Sequence, residues 1–143
     1  MRRLVGLLVT LVAVCAEVAL YVNYQAHEAR YHWFTHFFIG AGVALVAMTV
    51  WIVEEKRPVP YPVVWLIAGH LIAMLPDFLF AFGIPHRPWM DVFFGHLSAV
   101  FVPGHNLIWY GAFLVTLAGY LAADARLRGQ QVAKSGGRRR RRR

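Results

Sequence analysis

The chain has 143 residues, 59% of them hydrophobic, and a mean hydropathy of +0.49. At that composition, apolar runs of about 20 residues are membrane spans rather than buried core, which excludes a water-soluble globular enzyme. The formal net charge of +8 is concentrated, since six of the fifteen basic residues are the terminal run Arg138 to Arg143, and the lone Cys15 excludes both an internal disulfide and a cysteine-rich metal site.

Met1-Arg2-Arg3 precedes an apolar run from Leu4 to about Val22, interrupted by Thr10, Cys15 and Glu17. A basic start before an apolar stretch also describes a secretory signal. This run is longer than a usual signal core and lacks the small residue a lipoprotein cleavage site wants before Cys15, so it reads as a retained first span. Asn23 to His32 is a short polar connection. A second span follows from about Trp33 to Val53, closed by Glu54-Glu55-Lys56-Arg57-Pro58. Pro58, Pro60 and Pro62 keep the next connection extended.

A third span is predicted from about Pro62 to Phe82, ended by Gly83 and Pro85, with the most polar internal loop from Ile84 to about Asp91. Val92 to Phe101 is apolar around His96, and Pro103-Gly104 interrupts before the last span, Asn106 to Ala123. A short re-entrant or interfacial helix is therefore expected around 92–102. The fold class is all-α: a four-helix transmembrane domain over residues 1–125, then a basic, disordered cytoplasmic tail over 126–143.

Basic residues favour the cytoplasmic side. Arg2, Arg3, Lys56, Arg57, Arg126, Arg128, Lys134 and the six terminal arginines fall on one side, and only Arg30 and Arg87 on the other. Both termini are thus expected inside, in a multi-pass protein of the plasma (inner) membrane. Trp33, Trp89, Trp109, Tyr21, Tyr24 and Tyr31 would sit near the outer boundary.

A helix rises about 1.5 Å per residue, so Asp77 stands roughly 22 Å up a hydrocarbon layer about 30 Å thick. His36 enters the second span at a similar level. His86, Arg87 and Asp91 lie in the second outer loop, His96 and His105 flank the last span, and Glu17 is in the outer half. Imidazole and carboxylate gathered at one depth suit a divalent cation such as zinc or manganese. Glu28, His32 and His36 share one helical stripe if the second helix begins early, and His70 and Asp77, seven apart, share a face. Beside this stands a structural interpretation: Asp77 ion-paired with Arg87 or a histidine, Glu17 hydrogen-bonded to another helix, His70 in an interhelical hydrogen bond.

His36-Phe-Phe-Ile-Gly40, Met74-Leu75-Pro76-Asp77 and His86-Arg87 together resemble the LexA-regulated, membrane-bound metal-dependent hydrolases, over about residues 35–96. That family carries a Leu-Pro-Asp-x-Asp-His segment and a His-Arg-Gly-x-Thr-His segment. Here Leu79 and Phe80 replace the second aspartate and its histidine, and Asp91 stands at the last histidine. The resemblance implies a helical membrane protein with a His/Asp metal site.

The expected function is a metal-dependent hydrolase acting on a lipid or lipid-linked substrate. His36, Asp77, His86, Asp91 and His96 would be metal ligands, Asp91 and His96 would also serve as acid or base, and Arg87 would hold an anionic group. His32, His105, Glu17 and Glu28 are secondary candidates. Two alternatives are a haem-binding electron carrier, with His36 and His105 or His96 as axial ligands, and a non-enzymatic accessory subunit of a larger membrane complex. The lipid bilayer is the main partner, with anionic lipid touching Arg138 to Arg143. A homodimer or a larger membrane-protein partner is compatible with four short spans, and nucleic acid is disfavoured.

Overall fold

A computed structural model of the chain describes the backbone of residues 2–23, 27–85, 87–93 and 105–140, and the side chains of 4–22, 33–85, 87–93 and 106–133. Among the described residues the protein is helical, with no strand: α1 (Arg2–Asn23), α2 (His27–Glu55), α3 (Pro62–Ala73), α4 (Leu75–Ala81), α5 (Pro88–Val92) and α6 (His105–Arg140). Three stretches are long and apolar enough to cross a membrane: Leu4–Val22, Trp33–Glu55 and Asn106–Ala133. The pair α3 and α4 makes a fourth if its 53° bend is counted as one broken span.

The third span expected over Pro62 to Phe82 is bent in its middle. Pro76 has no N–H to donate, and its ring crowds the carbonyl four residues back. The helix therefore breaks at Met74, with Met74 N–H bonded to the His70 carbonyl at 3.0 Å and Phe78 N–H to the Met74 carbonyl at 3.1 Å. At the far end Gly83 adopts φ +80, its N–H bonds the Phe80 carbonyl, and Ile84 N–H reaches back to the Leu79 carbonyl. This double bond pattern is a Schellman cap, and it stops the helix where Gly83 and Pro85 predict.

The apolar span of α2 begins at Trp33 as expected, while the helix itself starts six residues earlier at His27, because His27-Glu28-Ala29-Arg30 contains no helix breaker. The last helix is longer than expected. α6 passes residue 125 without a helix end and runs to Arg140; Ala122 to Arg128 are, apart from Asp124, good helix formers, and Asp124 Oδ2 accepts a 2.6 Å bond from Arg128 Nε one turn on. The helix expected around 92–102 falls outside the described residues, except that Val92 ends α5.

α2 is the central helix, packed against α3 on one side and α6 on the other, while α1 leans on α3. Gly40 of α2 meets Gly69 of α3 backbone to backbone: a methyl built on either would overlap the other's carbonyl group. Gly40 and Ala44 on one helix, and Gly69 and Ala73 on the other, form two small-residue pairs at i, i+4, the spacing that lets helices approach closely in lipid. Ala44, Ala73 and Gly40 are buried.

Contacts along the helices give their directions. α3 runs against α2, since Gly40 faces Gly69 while His36 faces Asp77. α6 runs with α2: Thr35 bonds Asn106, Phe38 packs on Tyr110 and Phe113, and Ile52 shares a core cluster with Leu127. α1 runs with α3, as Gly6 abuts the Tyr61 ring and Glu17 reaches His70. The order is up, down, up, down, with the starts of α1 and α3 and the far part of α6 at one end. That basic end holds Lys56, Arg57, Arg126 and Arg128; the opposite, histidine end holds His36 and Asp77.

The outward faces are apolar. Leu4, Leu7, Leu11 and Val12 on α1 are each more than half exposed, as are Leu107 and Val115 on α6. Water does not favour such a surface and hydrocarbon does, so the apolar helices are compatible with a membrane protein.

Gly40→Ala is expected to lower the melting temperature of the detergent-solubilised protein, at an overpacking cost of about 1–3 kcal/mol. Gly119→Ala, where nothing lies within 4 Å of the added methyl, is expected to raise it slightly by the gain in helix propensity.

Candidate functional site

Two histidine–carboxylate pairs flank the Gly40–Gly69 crossing. His36 lies one turn from Gly40 along α2, and His70 directly follows Gly69 on α3. The close approach of the two backbones carries both imidazoles into the interior, where His36 is 1% and His70 0% exposed.

In the first pair, His36 Nε2 stands 3.3 Å from Asp77 Oδ2. Asp77 is on the first turn of α4, just beyond the proline bend, and its side chain is 23% exposed, so the pair has a buried nitrogen side and an open carboxylate side. Next to it, the Thr35 hydroxyl donates to the Asn106 side-chain oxygen and ties α2 to the start of α6.

In the second pair, His70 Nδ1 and Glu17 Oε1 are 2.5 Å apart, with a proton between them. The imidazole packs in perpendicular contact with two aromatic rings: Trp33 at 4.6 Å between centroids and 84° between planes, and Phe37 at 5.4 Å and 81°. Trp33, expected at the outer boundary, is the first residue of the apolar stretch of α2 and is also buried at 4% exposure, its ring packed on His70. Glu17 Oε2 and His70 Nε2 are buried without a hydrogen-bond partner among the described residues. A groove of about 290 Å³ between α1 and α2, lined by Glu17, Val18, Tyr21, Trp33, Phe34 and Phe37, opens over this pair.

His36 and Asp77 are thus brought together, as their common depth predicts. His70 and Asp77 are not: seven residues apart on a straight helix they would share a face, but the bend gives each a different partner helix. Asp91 is on α5, half-buried, and Arg87, extended just before α5, is exposed. Among the described residues no three His, Cys, Asp or Glu side chains converge closely enough to hold a metal ion.

His86 and His96 lie outside the described residues. Glu28 and His32 fall on the first turns of α2, and His105 opens α6, with their side chains outside the described set. Composition and depth assign Glu17 and His70 each a bond to some other helix; the fold joins them to each other. The small-residue spacing at 40, 44, 69 and 73 is the signal in the sequence for the crossing that aligns them.

No protein-family model matches the chain, and no curated protein or solved structure does.

Glu17→Ala leaves the buried His70 Nδ1 without its partner, and the expected loss of stability is about 1–3 kcal/mol. Glu17→Gln, which keeps an oxygen and an N–H at the same reach, is expected to recover most of it in thermal melts in detergent.

Proposed function

We propose that the protein is a membrane-embedded, metal-dependent hydrolase acting on a lipid or lipid-linked substrate, with both termini on the cytoplasmic side of the plasma (inner) membrane. The observation that carries this reading is the 3.3 Å between His36 Nε2 and Asp77 Oδ2. Two ligands each about 2.0–2.1 Å from a tetrahedral zinc ion stand about 3.3 Å apart. The pair therefore fits two corners of a cation site, one imidazole and one carboxylate. His86, Asp91 and His96 are the groups proposed to complete it.

Bound there, a divalent cation supplies Lewis-acid polarisation of an ester, amide or phosphoryl oxygen. The chain's own residues do the rest. His36, locked in the α2–α3 interface, fixes one side of the site and excludes water from it. Asp77, partly exposed, faces the side from which a substrate arrives. Arg87, exposed beside the His86 position, has the planar fork that grips a phosphate. The distribution of Lys and Arg supports the orientation, since the basic end carries the cytoplasmic bias. The resemblance of His36-x-x-x-Gly40, Leu75-Pro76-Asp77 and His86-Arg87 to the LexA-regulated hydrolases points the same way.

Detergent-purified full chain is expected to carry near-stoichiometric zinc or manganese by elemental analysis. His36→Ala and Asp77→Ala lose it, and His70→Ala, which alters only the other pair, keeps it. A well-folded sample without metal would overturn the hydrolase reading and leave the two pairs as interhelical fasteners of an accessory membrane subunit.

A further inference from the structure

At the basic end of the bundle, far from either histidine pair, a groove of about 170 Å³ lies between the last turn of α2 and α6. Ile52, Ala123 and Leu127 form its floor, with Ile52 and Leu127 buried in the core cluster. Lys56, Arg126 and Gln130, all exposed, stand at its rim.

The two cations at the rim have no carboxylate partner among the described residues. Arg128, two positions on, is engaged by Asp124, and the nearby Glu54 and Glu55 are exposed and form no ion pair with Lys56. The groove is thus half-apolar with two cations at its rim that no ion pair occupies among the described residues.

Its level along the bundle is set independently. The apolar stretch of α2 ends at Glu55, one residue before Lys56. Trp51 and Tyr61 project outward at this end, each more than one-third exposed, as amphipathic rings do where hydrocarbon meets headgroups. Lys56 closes α2 at φ 52, its N–H bonded to the Ile52 carbonyl at 3.1 Å. Glycine adopts that left-handed conformation freely and a long side chain does not. The chain nevertheless places an ammonium group there.

We propose that this groove binds one anionic phospholipid, with Lys56 and Arg126 holding the phosphodiester and an acyl chain lying over Ile52 and Leu127. Charge complementarity selects an anionic headgroup, and the apolar floor at the interface selects a lipid over a soluble anion. The site is independent of any chemistry at the histidine end.

The test is native mass spectrometry of the full chain in neutral detergent, offered phosphatidylglycerol or phosphatidylcholine. No charged surface is present under those conditions, and the arginine tail contributes equally in every variant. The parent is expected to retain phosphatidylglycerol over phosphatidylcholine. Lys56→Gly and Arg126→Gln are each expected to weaken that retention roughly fivefold, the effect of one interfacial cation on anionic lipid. Arg57→Gln removes the same charge from a residue outside the groove and is expected to change it less than about twofold. Lys56→Gly should also melt no lower than the parent in phosphatidylcholine, because glycine relaxes the backbone. Equal retention of the two lipids, undiminished retention in both groove variants, or an equal loss in Arg57→Gln would each overturn the proposal.

Discussion

Gly40 and Gly69 touch through their backbones, and the positions of the other helices follow from that contact. Lipid offers no hydrophobic reward for bringing helices together, so association rests on close packing and on polar groups that need partners. Two glycines, each with an alanine one turn away, let α2 and α3 approach so closely that a methyl on either would overlap the other's carbonyl. Side chains next to the contact are then buried whatever their polarity. His36 and His70 are those side chains, and α1 and α6 attach on either side of the two-helix core.

Burying imidazole and carboxylate in a low-dielectric interior is costly unless each finds a partner. Pairing across helices meets this need twice, with different results. Glu17 and His70 are closed in by Trp33 and Phe37 and hold α1, otherwise an exposed apolar helix with little packing, against α3. His36 and Asp77 are open on the carboxylate side. The proline bend separates the two arrangements: it turns the first turn of α4 away from the axis of α3, so Asp77 meets α2 while His70 meets α1. One pair is packed against two aromatic rings and the other is partly exposed at its carboxylate.

The two ends of the bundle differ in the same sense. His36 with Asp77 and His70 with Glu17 lie toward the end where α2 begins; Lys56, Arg57, Arg126 and Arg128, with Glu54, Glu55 and Asp124 among them, lie where α2 ends and α6 continues past the apolar core. Thr35 and Asn106 bind α6 to α2 at the first end, and Leu127 with Ile52 does so at the second. α6 then carries Arg126 and Arg128 past the groove, only Arg128 being neutralised by Asp124. A cation site at one end and a lipid headgroup at the other would be compatible with a single orientation in the membrane.

The run of apolar residues by itself determined the helical class and three of the candidate spans, with the fourth present only if the bent α3–α4 pair is counted as one, because away from water a chain must satisfy its backbone internally and helix is the local way to do so. Gly83 and Pro85 mark the end of α4 for equally local reasons. Depth along a helix is also arithmetic, which is why counting residues is enough to bring His36 and Asp77 to one level. Azimuth is not. The 53° turn at Met74, the partnering of Glu17 with His70 and the burial of Trp33 depend on how helices rotate and bend against one another. That was decided by tertiary contact at Gly40 and Gly69, far apart in the chain, and by the local clash of Pro76, whose direction only the packed helices select.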